Sequence, residues 1–409
     1  MEGKKTIRRI SLENFLSFGS PGQSIELEPL NVLIGPNASG KSNFIEALSF
    51  LKATPTVDLT KPIREGGGAN EYLWKGAPDI PTARIEVAIE SPRNGCPLLY
   101  GIGFTSDNWS RLQVVEEHIE YENSRSSTDG PPFIYRYPDN NKRGILHYRN
   151  KMAVSGATIP VEELLGHPSV EVSIDPNRSI IGFLRNPDLY PELAYLENLF
   201  LNIQFSGEWQ LSRHSPSRLP QRTDLPTDVL WEDASNLGLI LNNYPGKIRG
   251  EIIESLRQVY EDIEEIQTRV EGNTIQTFIK ERELSAPTPA IRLSDGTLRY
   301  LCLLALLKQP KPLPILCIEE PEIGLHPDVI HTVAELLIEA SQRTQLIVTT
   351  HSEQLVSALS DVPEAVIVCE RDQDGTRLQR LDAESLQEWL EDYSLGDLWR
   401  KGELGGTRW

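Results

Sequence analysis

A run of eight residues near the start of the chain combines two glycines, a lysine and a serine at a spacing that suits phosphate binding. The run is Gly35-Pro36-Asn37-Ala38-Ser39-Gly40-Lys41-Ser42, and it fits the pattern G-x-x-x-x-G-K-[ST]. Apolar residues before it, Leu30–Ile34, and after it, 43–48, predict a strand and a helix on its two sides. The context therefore favours a phosphate-binding loop over a chance glycine loop at the start of a helix.

The chemistry expected of this loop follows from its residue types. The two glycines let successive N–H groups turn inward toward an anion, at the positive end of the helix dipole. Lys41 is then expected to neutralise the β- and γ-phosphates of a nucleotide, and the Ser42 hydroxyl to ligate Mg²⁺. All residues of the loop, with Asn43 after it, are predicted to contact the nucleotide.

Two carboxylates and a histidine follow two further apolar runs. Residues 314–318 lead into Glu319 and Glu320, and residues 345–350 lead into His351. A carboxylate at the end of a buried strand can hold Mg²⁺, and the next one can orient or deprotonate water. Glu319 is therefore predicted as the metal carboxylate and Glu320 as the catalytic base, while His351 is expected to reach the γ-phosphate. The alternatives are a solvated strand end and a structural histidine.

Composition sets outer bounds on these expectations. The chain has 409 residues, 39% hydrophobic and 24% charged, as in an ordinary globular protein of two or three structural units. It shows no membrane-length apolar run and no secretory leader, so a cytoplasmic location without a membrane partner is expected. Four widely spaced cysteines, Cys96, Cys302, Cys317 and Cys369, are predicted to be reduced core residues.

The net charge of −19 bears on partners, because a protein that binds nucleic acid without sequence specificity usually carries excess Lys and Arg. Any contact with DNA would have to be local or made by another subunit. Two basic segments are candidates for such local sites, but for each the alternative of a solvated loop is favoured. They are residues 133–151, with Arg136, Lys142, Arg143, Arg149 and Lys151 among Tyr135, Tyr137 and Tyr148, and a loop with Arg213, His214, Arg218 and Arg222.

Periodicity predicts the remaining elements. Two short strands precede the loop, at 6–14 and 24–27, and alternation predicts three more at 83–90, 98–104 and 112–121. Helices are expected at 191–202, 230–244 and 246–263, and the last part of the chain is expected to hold strands at 365–370 and 376–381 and a helix at 384–393. None of the helices continues as a long heptad repeat.

A third motif completes a family resemblance. Residues 291–299 read I-R-L-S-D-G-T-L-R and precede an apolar helical run. With the loop and the strand ends, the chain resembles ABC-type ATPases of the RecF, SMC and overcoming-lysogenization-defect (OLD) group, in particular small bacterial ATPases of the AAA family. The resemblance covers the phosphate-loop region and residues 290–409 well, and the middle poorly.

The resemblance implies a fold and a domain division. The fold would be α/β, a P-loop NTPase with an ABC-type head, in which helices flank a mixed central sheet and an antiparallel β lobe and a helical insertion are added. The division would be an N-terminal ATPase lobe at 1–125, a variable helical insertion at 126–285 and a C-terminal ATPase lobe at 286–409. Two positions depart from the family: Glu319 stands where many relatives have Asp, and Leu16 and Ser17 stand where relatives often carry a basic residue, so the base contacts stay unassigned.

The family signature is matched by Leu293, Ser294, Asp295, Gly296 and Thr297. The resemblance implies that Ser294 to Thr297 cover, in trans, the γ-phosphate held by another protomer, so that two ATP molecules with Mg²⁺ are buried between two heads. His326 would lie in the loop at that dimer seam. A homodimer or a higher even oligomer is therefore expected.

The function implied is that of an ATPase in DNA repair or anti-phage defence, with DNA or a nuclease or toxin effector as partner in trans. The alternative is a nucleotide-gated scaffold that holds a toxin or nuclease and binds little DNA itself. A transporter ATPase is disfavoured by the N-terminal sheet, the signature spelling and the large middle segment.

Overall fold

The computed structural model describes residues 3–91, 96–122, 133–137, 143–147, 169–206, 209 and 211–406. Its strands, in chain order, are β1 Ile7–Glu13, β2 Gln23–Glu26, β3 Leu30–Ile34, β4 Ala83–Ile89, β5 Leu98–Ser106, β6 Leu112–Tyr121, β7 Tyr135–Tyr137, β8 Gly144–His147, β9 Ser169–Val172, β10 Ile203–Ser206, β11 Gln221–Arg222, β12 Ile263–Glu271, β13 Thr274–Glu281, β14 Thr288–Pro289, β15 Ile315–Glu319, β16 Gln345–Thr349, β17 Val366–Asp372 and β18 Gly375–Arg380.

Three helices follow β3, and the others lie between the later strands or after β18. They are α1 Lys41–Ala53, α2 Thr60–Glu65, α3 Ala69–Tyr72, α4 Ile180–Phe183, α5 Pro191–Leu201, α6 Leu237–Asn243, α7 Gly246–Arg257, α8 Asp295–Leu307, α9 Ile330–Ser341, α10 Glu353–Ser357, α11 Ala383–Leu390 and α12 Leu395–Lys401.

A six-stranded central sheet carries the predicted chemistry. Its order is β10-β15-β16-β3-β17-β18, with β18 antiparallel and the other pairs parallel. Strands buried on both faces read as continuous apolar runs, as β3, β15 and β16 do. Because parallel strands end at one edge, this order brings the segments after β3, β15 and β16 side by side.

The core lies on both faces of the central sheet, since successive side chains of a strand point to opposite faces. Leu33 and Cys317 belong to the cluster shared with α1 and the N-terminal strands. Their neighbours Val32 and Leu316 belong to the cluster formed with α8 and α9.

Two further sheets complete the fold. An eight-stranded antiparallel sheet has the order β2-β1-β4-β5-β6-β7-β8-β9, and a smaller sheet has the order β11-β13-β12 with β14 paired to β13. The fold is thus the α/β head with an added antiparallel lobe that the sequence predicts.

Most predicted elements are confirmed to within a few residues, and the middle segment differs. The predicted helix 230–244 is a helix only over Leu237–Asn243, and the one predicted at 246–263 ends at Arg257, after which the β12–β13 hairpin begins. The segment expected to be an insertion of helices also supplies β10, the edge strand of the central sheet. The division at 125 and 285 stays a prediction.

Three of the four cysteines are buried and Cys96 is half-buried, and all four are free. Within the residues that the structure describes, every helix is too short or too polar to cross a membrane.

Candidate functional site

The phosphate loop is a tight turn between β3 and α1. Gly35, Ala38 and Gly40 have φ values of 144°, 63° and 105°, in the region that favours glycine. Gly40 is the N-cap residue of α1, so the first N–H groups of that helix face the loop. Lys41 is only 6% exposed, and its ammonium donates to the carbonyls of Gly35 and Pro36 at 2.8 and 2.9 Å. The Lys41 ammonium thus lies within the turn of the loop, bonded to the carbonyls at its start.

Both glycines are also required by close packing. A Cβ at Gly35 would collide with the carbonyl oxygen of Cys369 in β17, and one at Gly40 with the hydroxyl of Thr376 in β18. Thr376 therefore stabilises the loop. Its hydroxyl donates to the carbonyl of Ser39 at 2.9 Å and lies 2.7 Å from the Ser17 hydroxyl. Asn43 donates to the Ser17 hydroxyl at 2.7 Å.

The loop suits an anion such as a nucleotide phosphate. The buried Ser39 hydroxyl has no hydrogen-bond partner among the described residues, although burying a hydroxyl without one is costly. Ser42 follows Lys41 directly and is the second residue of α1. No three His, Cys, Asp or Glu side chains in the described segments converge as a metal site.

The predicted acid–base residues meet at the edge where β15 and β16 end. Glu319 pairs with Thr349 across the two strands, and the next residue, Glu320, donates its N–H to the Thr349 carbonyl at 2.9 Å. A Glu320 oxygen lies 3.8 Å from Nε2 of His351. Thr350, beside His351, donates its N–H to the carbonyl of Leu33 in β3 at 3.1 Å. The histidine, the two carboxylates and the phosphate loop therefore share one sheet edge.

Glu320 is held in a backbone conformation that costs energy. Its φ is 46°, a value that residues other than glycine, asparagine and aspartate rarely adopt. Strain of this kind costs of order 1–3 kcal/mol and clusters at functional sites. The conformation turns the chain sharply between β15 and Pro321, so that the carboxyl group leaves the line of the strand.

Glu322 positions the histidine segment, a role that the sequence reasoning missed. One of its oxygens accepts from the Thr350 hydroxyl at 2.7 Å and from the His351 N–H at 3.0 Å. Its other oxygen is buried and has no partner among the described residues. The spacing E-E-P-E offered a signal, because a third carboxylate two residues after the predicted base is in reach of the neighbouring strand end.

The signature segment begins α8. Ser294 is the N-cap residue, and its hydroxyl accepts from the Thr297 N–H at 3.1 Å and contacts the Thr297 hydroxyl at 2.6 Å. Ser294 and Asp295 are exposed, Gly296 is half-buried and Thr297 is buried. An exposed helix N-terminus of this kind can stabilise an anion.

The buried side chain of Arg218 stabilises this segment. Its side chain is 2% exposed, and its guanidinium donates to the carbonyls of Leu211, Ala290 and Leu293 at 3.0, 3.1 and 2.6 Å. It also pairs with Asp295, which is 77% exposed. The sequence reasoning placed Arg218 in a basic surface loop, and its burial corrects that interpretation, since its charge is used within the fold.

The loop expected at a dimer seam lies beside the signature. A Cβ at Gly296 would come within 2.8 Å of the carbonyl oxygen of Gly324, whose φ is 72°. Ile323 and His326 are exposed, and Nδ1 of His326 lies 3.3 Å from Asp328. The signature and this loop therefore form one continuous surface. The signature contacts Arg218 and lies against Gly324, whereas the phosphate loop contacts β17, β18 and the turn after β1.

The described residues of the two basic segments are largely paired with carboxylates. Arg136 pairs with Glu120 at 2.7 Å, Arg143 with Glu171 at 3.0 Å and Arg222 with Asp224 at 2.5 Å. Arg213 and His214 are exposed. Lys142, Tyr148, Arg149 and Lys151 lie outside the described residues.

Comparisons with known proteins agree with this architecture. Residues 30–357 match the family described as "AAA domain, putative AbiEii toxin, Type IV TA system". The Old nuclease of Escherichia phage P2 is 36% identical over 410 residues, which cover 93% of this chain and 61% of that protein. The chromosome partition protein Smc of Mycobacterium tuberculosis is 28% identical over 125 residues, 30% of this chain and 10% of Smc. The chain thus spans about three fifths of the first relative and a tenth of the second.

Solved structures show the same fold at low sequence identity. An Smc head bound to the C-winged helix domain of ScpA has a TM-score of 0.57 and 14% identity, covering 93% of this chain and 99% of the head. The Smc head with an extended coiled coil from Pyrococcus furiosus has a TM-score of 0.55 and 12% identity, covering 95% and 99%. On the family match, the shared head fold and the likeness to the Old nuclease, the chain belongs to the AAA-domain family as an ABC-type ATPase of the SMC and OLD group.

Proposed function

We propose that the chain binds ATP with Mg²⁺ and hydrolyses it, and that two copies engage head to head when ATP is bound. The observation that carries this proposal is the strand order around β16. Because β16 lies between β3 and β15, the loop of Lys41, the carboxyl group of Glu320 and the ring of His351 come from three adjacent strand ends. This is the arrangement that in-line attack of water on a γ-phosphate needs.

In this proposal each side chain has one task. The N–H groups of the phosphate loop and the Lys41 ammonium hold the β- and γ-phosphates and stabilise the charge that develops there. Glu320 accepts a proton from water as the water oxygen bonds to the γ-phosphorus, and the bond to the β–γ bridging oxygen breaks to give ADP and phosphate. His351, oriented through Glu322, contacts the γ-phosphate. Ser42 and Glu319 would hold Mg²⁺, which supplies positive charge to the phosphate oxygens.

The head-to-head part of the proposal rests on the signature surface. Ser294 and Asp295 are exposed at the N-terminus of α8, where Ser294 bonds with Thr297 and Asp295 pairs with Arg218. A signature that acts on phosphate is therefore best supplied to the loop of a second copy. An isologous pair of heads related by a two-fold axis creates two such composite sites.

For the process that this ATPase drives, we propose DNA repair or anti-phage defence together with an effector in trans. Support comes from the Old nuclease of phage P2, which is a nuclease by name and aligns with 93% of this chain. The alternative is a nucleotide-gated scaffold for a toxin or nuclease. It is favoured by the net charge of −19 and by the carboxylate pairing of Arg136, Arg143 and Arg222, which leave little free positive charge for DNA.

The test compares wild type with Lys41→Ala and Glu320→Gln for ATP turnover and for mass in solution. Glu320→Gln keeps the shape of the side chain but removes the base, so we expect turnover to fall at least about a hundredfold while ATP now traps a dimer. Lys41→Ala is expected to lose both turnover and the ATP-dependent dimer.

Glu335→Gln provides a matched control, because Glu335 is an exposed glutamate on α9 that pairs with His331 at 3.4 Å. It should turn over ATP and dimerise like wild type. A wild-type protein that stays monomeric and inert with ATP and Mg²⁺ contradicts the proposed hydrolysis and engagement. Salt-sensitive DNA binding by the trapped form favours the repair or defence role, and its absence favours the scaffold.

A further inference from the structure

The strand order also constrains where the base of a bound nucleotide lies. Glu320 and His351 follow β15 and β16, which lie on one side of β3 in the central sheet. The γ-phosphate, where hydrolysis occurs, must face that side. The rest of the nucleotide then extends from the phosphate loop toward the other side of β3, where β17 and β18 lie.

The β17–β18 hairpin reaches the phosphate loop through Thr376. The Thr376 side chain contacts Ser39, Gly40 and Ser17, so this face of the hairpin looks onto the loop. Arg371 is paired with Thr376 across the hairpin. Side chains directly opposite each other in an antiparallel pair project from the same face. Arg371 therefore projects toward the side that holds the phosphate loop.

Arg371 lies against an aromatic ring that belongs to the same neighbourhood. Its guanidinium carbon is 6.0 Å from the centre of the Trp74 ring, and Arg371 itself is exposed. The backbone N–H of Trp74 donates to the carbonyl of Asn14 at 2.9 Å. A Cβ at Gly19 would approach the Trp74 ring to 3.1 Å. The ring thus packs on the turn that follows β1, the turn that also carries Ser17.

We propose that Arg371, supported by Trp74, is the platform on which the base of the bound nucleoside triphosphate stacks. A guanidinium group is planar, permanently charged and weakly hydrated, so it stacks on aromatic planes where an ammonium group does not. The pair occupies the side of the loop to which the base end must extend. It also supplies a cation next to the turn in which Leu16 and Ser17 stand. This inference rests on the proposed nucleotide binding.

The test measures the dissociation constants of two probes, ATP and inorganic tripolyphosphate, each with Mg²⁺. Tripolyphosphate carries the phosphates without ribose or base. Arg371→Ala is expected to weaken ATP binding about tenfold, the size of a lost base-stacking contact, and to leave tripolyphosphate binding unchanged. Arg371→Lys keeps the charge but loses the plane, so it should weaken ATP binding nearly as much.

Arg377→Ala is the matched control. Arg377 lies on the same hairpin, is paired with Glu370 in register and so projects from the opposite face, where it forms an ion pair with Asp372. It should bind both probes like wild type. Equal ATP binding by wild type and Arg371→Ala overturns the inference alone, and so does full binding by Arg371→Lys. An equal loss of both probes in Arg371→Ala assigns the arginine to the phosphates and also overturns it. A wild-type protein that binds neither probe overturns the proposed function as well.

Discussion

At the scale of single residues, Glu117 in β6 is a buried carboxyl group that links the antiparallel lobe to the segment before α5. It accepts hydrogen bonds from Tyr100 and from the N–H of Ile180, both at 2.9 Å, and from Ser179, the N-cap residue of α4. Burial raises the pKa of Glu117 from 4.5 to about 7, although these three donors act in the opposite direction. The protonated form is therefore favoured in the folded protein.

A raised pKa in the folded state gives stability that is complete below the unfolded pKa and is lost as the pH rises through the folded pKa. As the pH rises from about 4.5 to above 7, the ionisation of Glu117 should therefore lower the free energy of unfolding progressively, by up to about 3 kcal/mol in total. Glu117→Gln, which cannot ionise, should lack this decline. Denaturant unfolding at pH 5, 6, 7 and 8 measures the difference between the two proteins.

The half-exposed neighbour Glu116 offers the control for this prediction. Glu116→Gln should follow the wild-type profile over the same pH range, apart from a constant offset for its lost ion pair with Arg84. Parallel wild-type and Glu117→Gln profiles would show that Glu117 stays ionised in the fold.

Residue identity at the site could be predicted where spacing along the chain carries the information. The phosphate loop, Glu319, Glu320 and His351 stand in contiguous motifs, and the structure brings them to one sheet edge. Arg218 and Glu322 could not be assigned in this way. The partners of Arg218 include the carbonyl of Leu293, 75 residues away in sequence, and those of Glu322 lie in the next strand end. Long-range contacts of this kind are properties of the folded chain.

At the scale of elements, the segment after α12 packs against the phosphate loop. The Trp399 indole N–H donates to the Gly406 carbonyl at 3.0 Å, and the Gly406 N–H donates to Glu370 of β17 at 2.7 Å. A Cβ at Gly406 would lie 2.8 Å from a Val368 methyl group and 3.4 Å from the Cα of Gly35. The segment around Gly406 therefore packs next to Gly35, the first residue of the phosphate loop.

Gly406→Ala should weaken ATP binding and loosen the phosphate loop. The new methyl group must displace either the segment or Val368, and the segment lies next to Gly35 of the loop. Gly272→Ala is the control, because Gly272 has a φ of 60° against 62° for Gly406 and has no atom within 4 Å of its Cβ position. Both variants should lose about 1 kcal/mol of stability from backbone strain, and only Gly406→Ala should raise the dissociation constant of ATP. Equal ATP affinities in the two variants would mean that this segment leaves the loop unaffected.

The elements that the sequence predicts well are those whose pattern is set by the core. β3, β15 and β16 are buried on both faces, so their apolar runs are unambiguous. The β12–β13 hairpin was missed because many of its side chains are exposed and its N-terminal end continues the pattern of α7. Residues 230–236 carry apolar side chains but have no helix, and the Asn236 amide instead ties this loop through the carbonyls of Pro226 and Val229. Side-chain bonds to the backbone thus override periodicity there.

At the scale of the whole molecule, the composite site predicts that two defective chains can restore each other. A chain with Lys41→Ala retains its signature, and a chain with Ser294→Arg retains its phosphate loop. In a mixed head-to-head pair, one of the two sites is assembled from the intact loop of the second chain and the intact signature of the first. Neither variant alone should hydrolyse ATP, whereas an equimolar mixture should recover about a quarter of wild-type turnover, since about half of the pairs are mixed and each has one intact site.

The mixture must be compared with one in which both defects occupy the same chain. Lys41→Ala/Ser294→Arg mixed with wild type has the same total number of substitutions, but its mixed pairs contain no intact site, because each site then receives either the defective loop or the defective signature. Ser294 is exposed, so the longer arginine side chain does not enter the core; the lost N-cap should cost about 1 kcal/mol and leave each variant folded. If the sites are shared between heads, both mixtures should give about a quarter of wild-type turnover, the second one from its wild-type pairs alone. If each head completes its own site, the first mixture should give none and the second about half. Turnover of the two mixtures, measured as a function of protein concentration, distinguishes the cases. Recovery that is absent at every concentration would mean that each head completes its own site, and the exposed signature would then have to act on a surface other than a second copy.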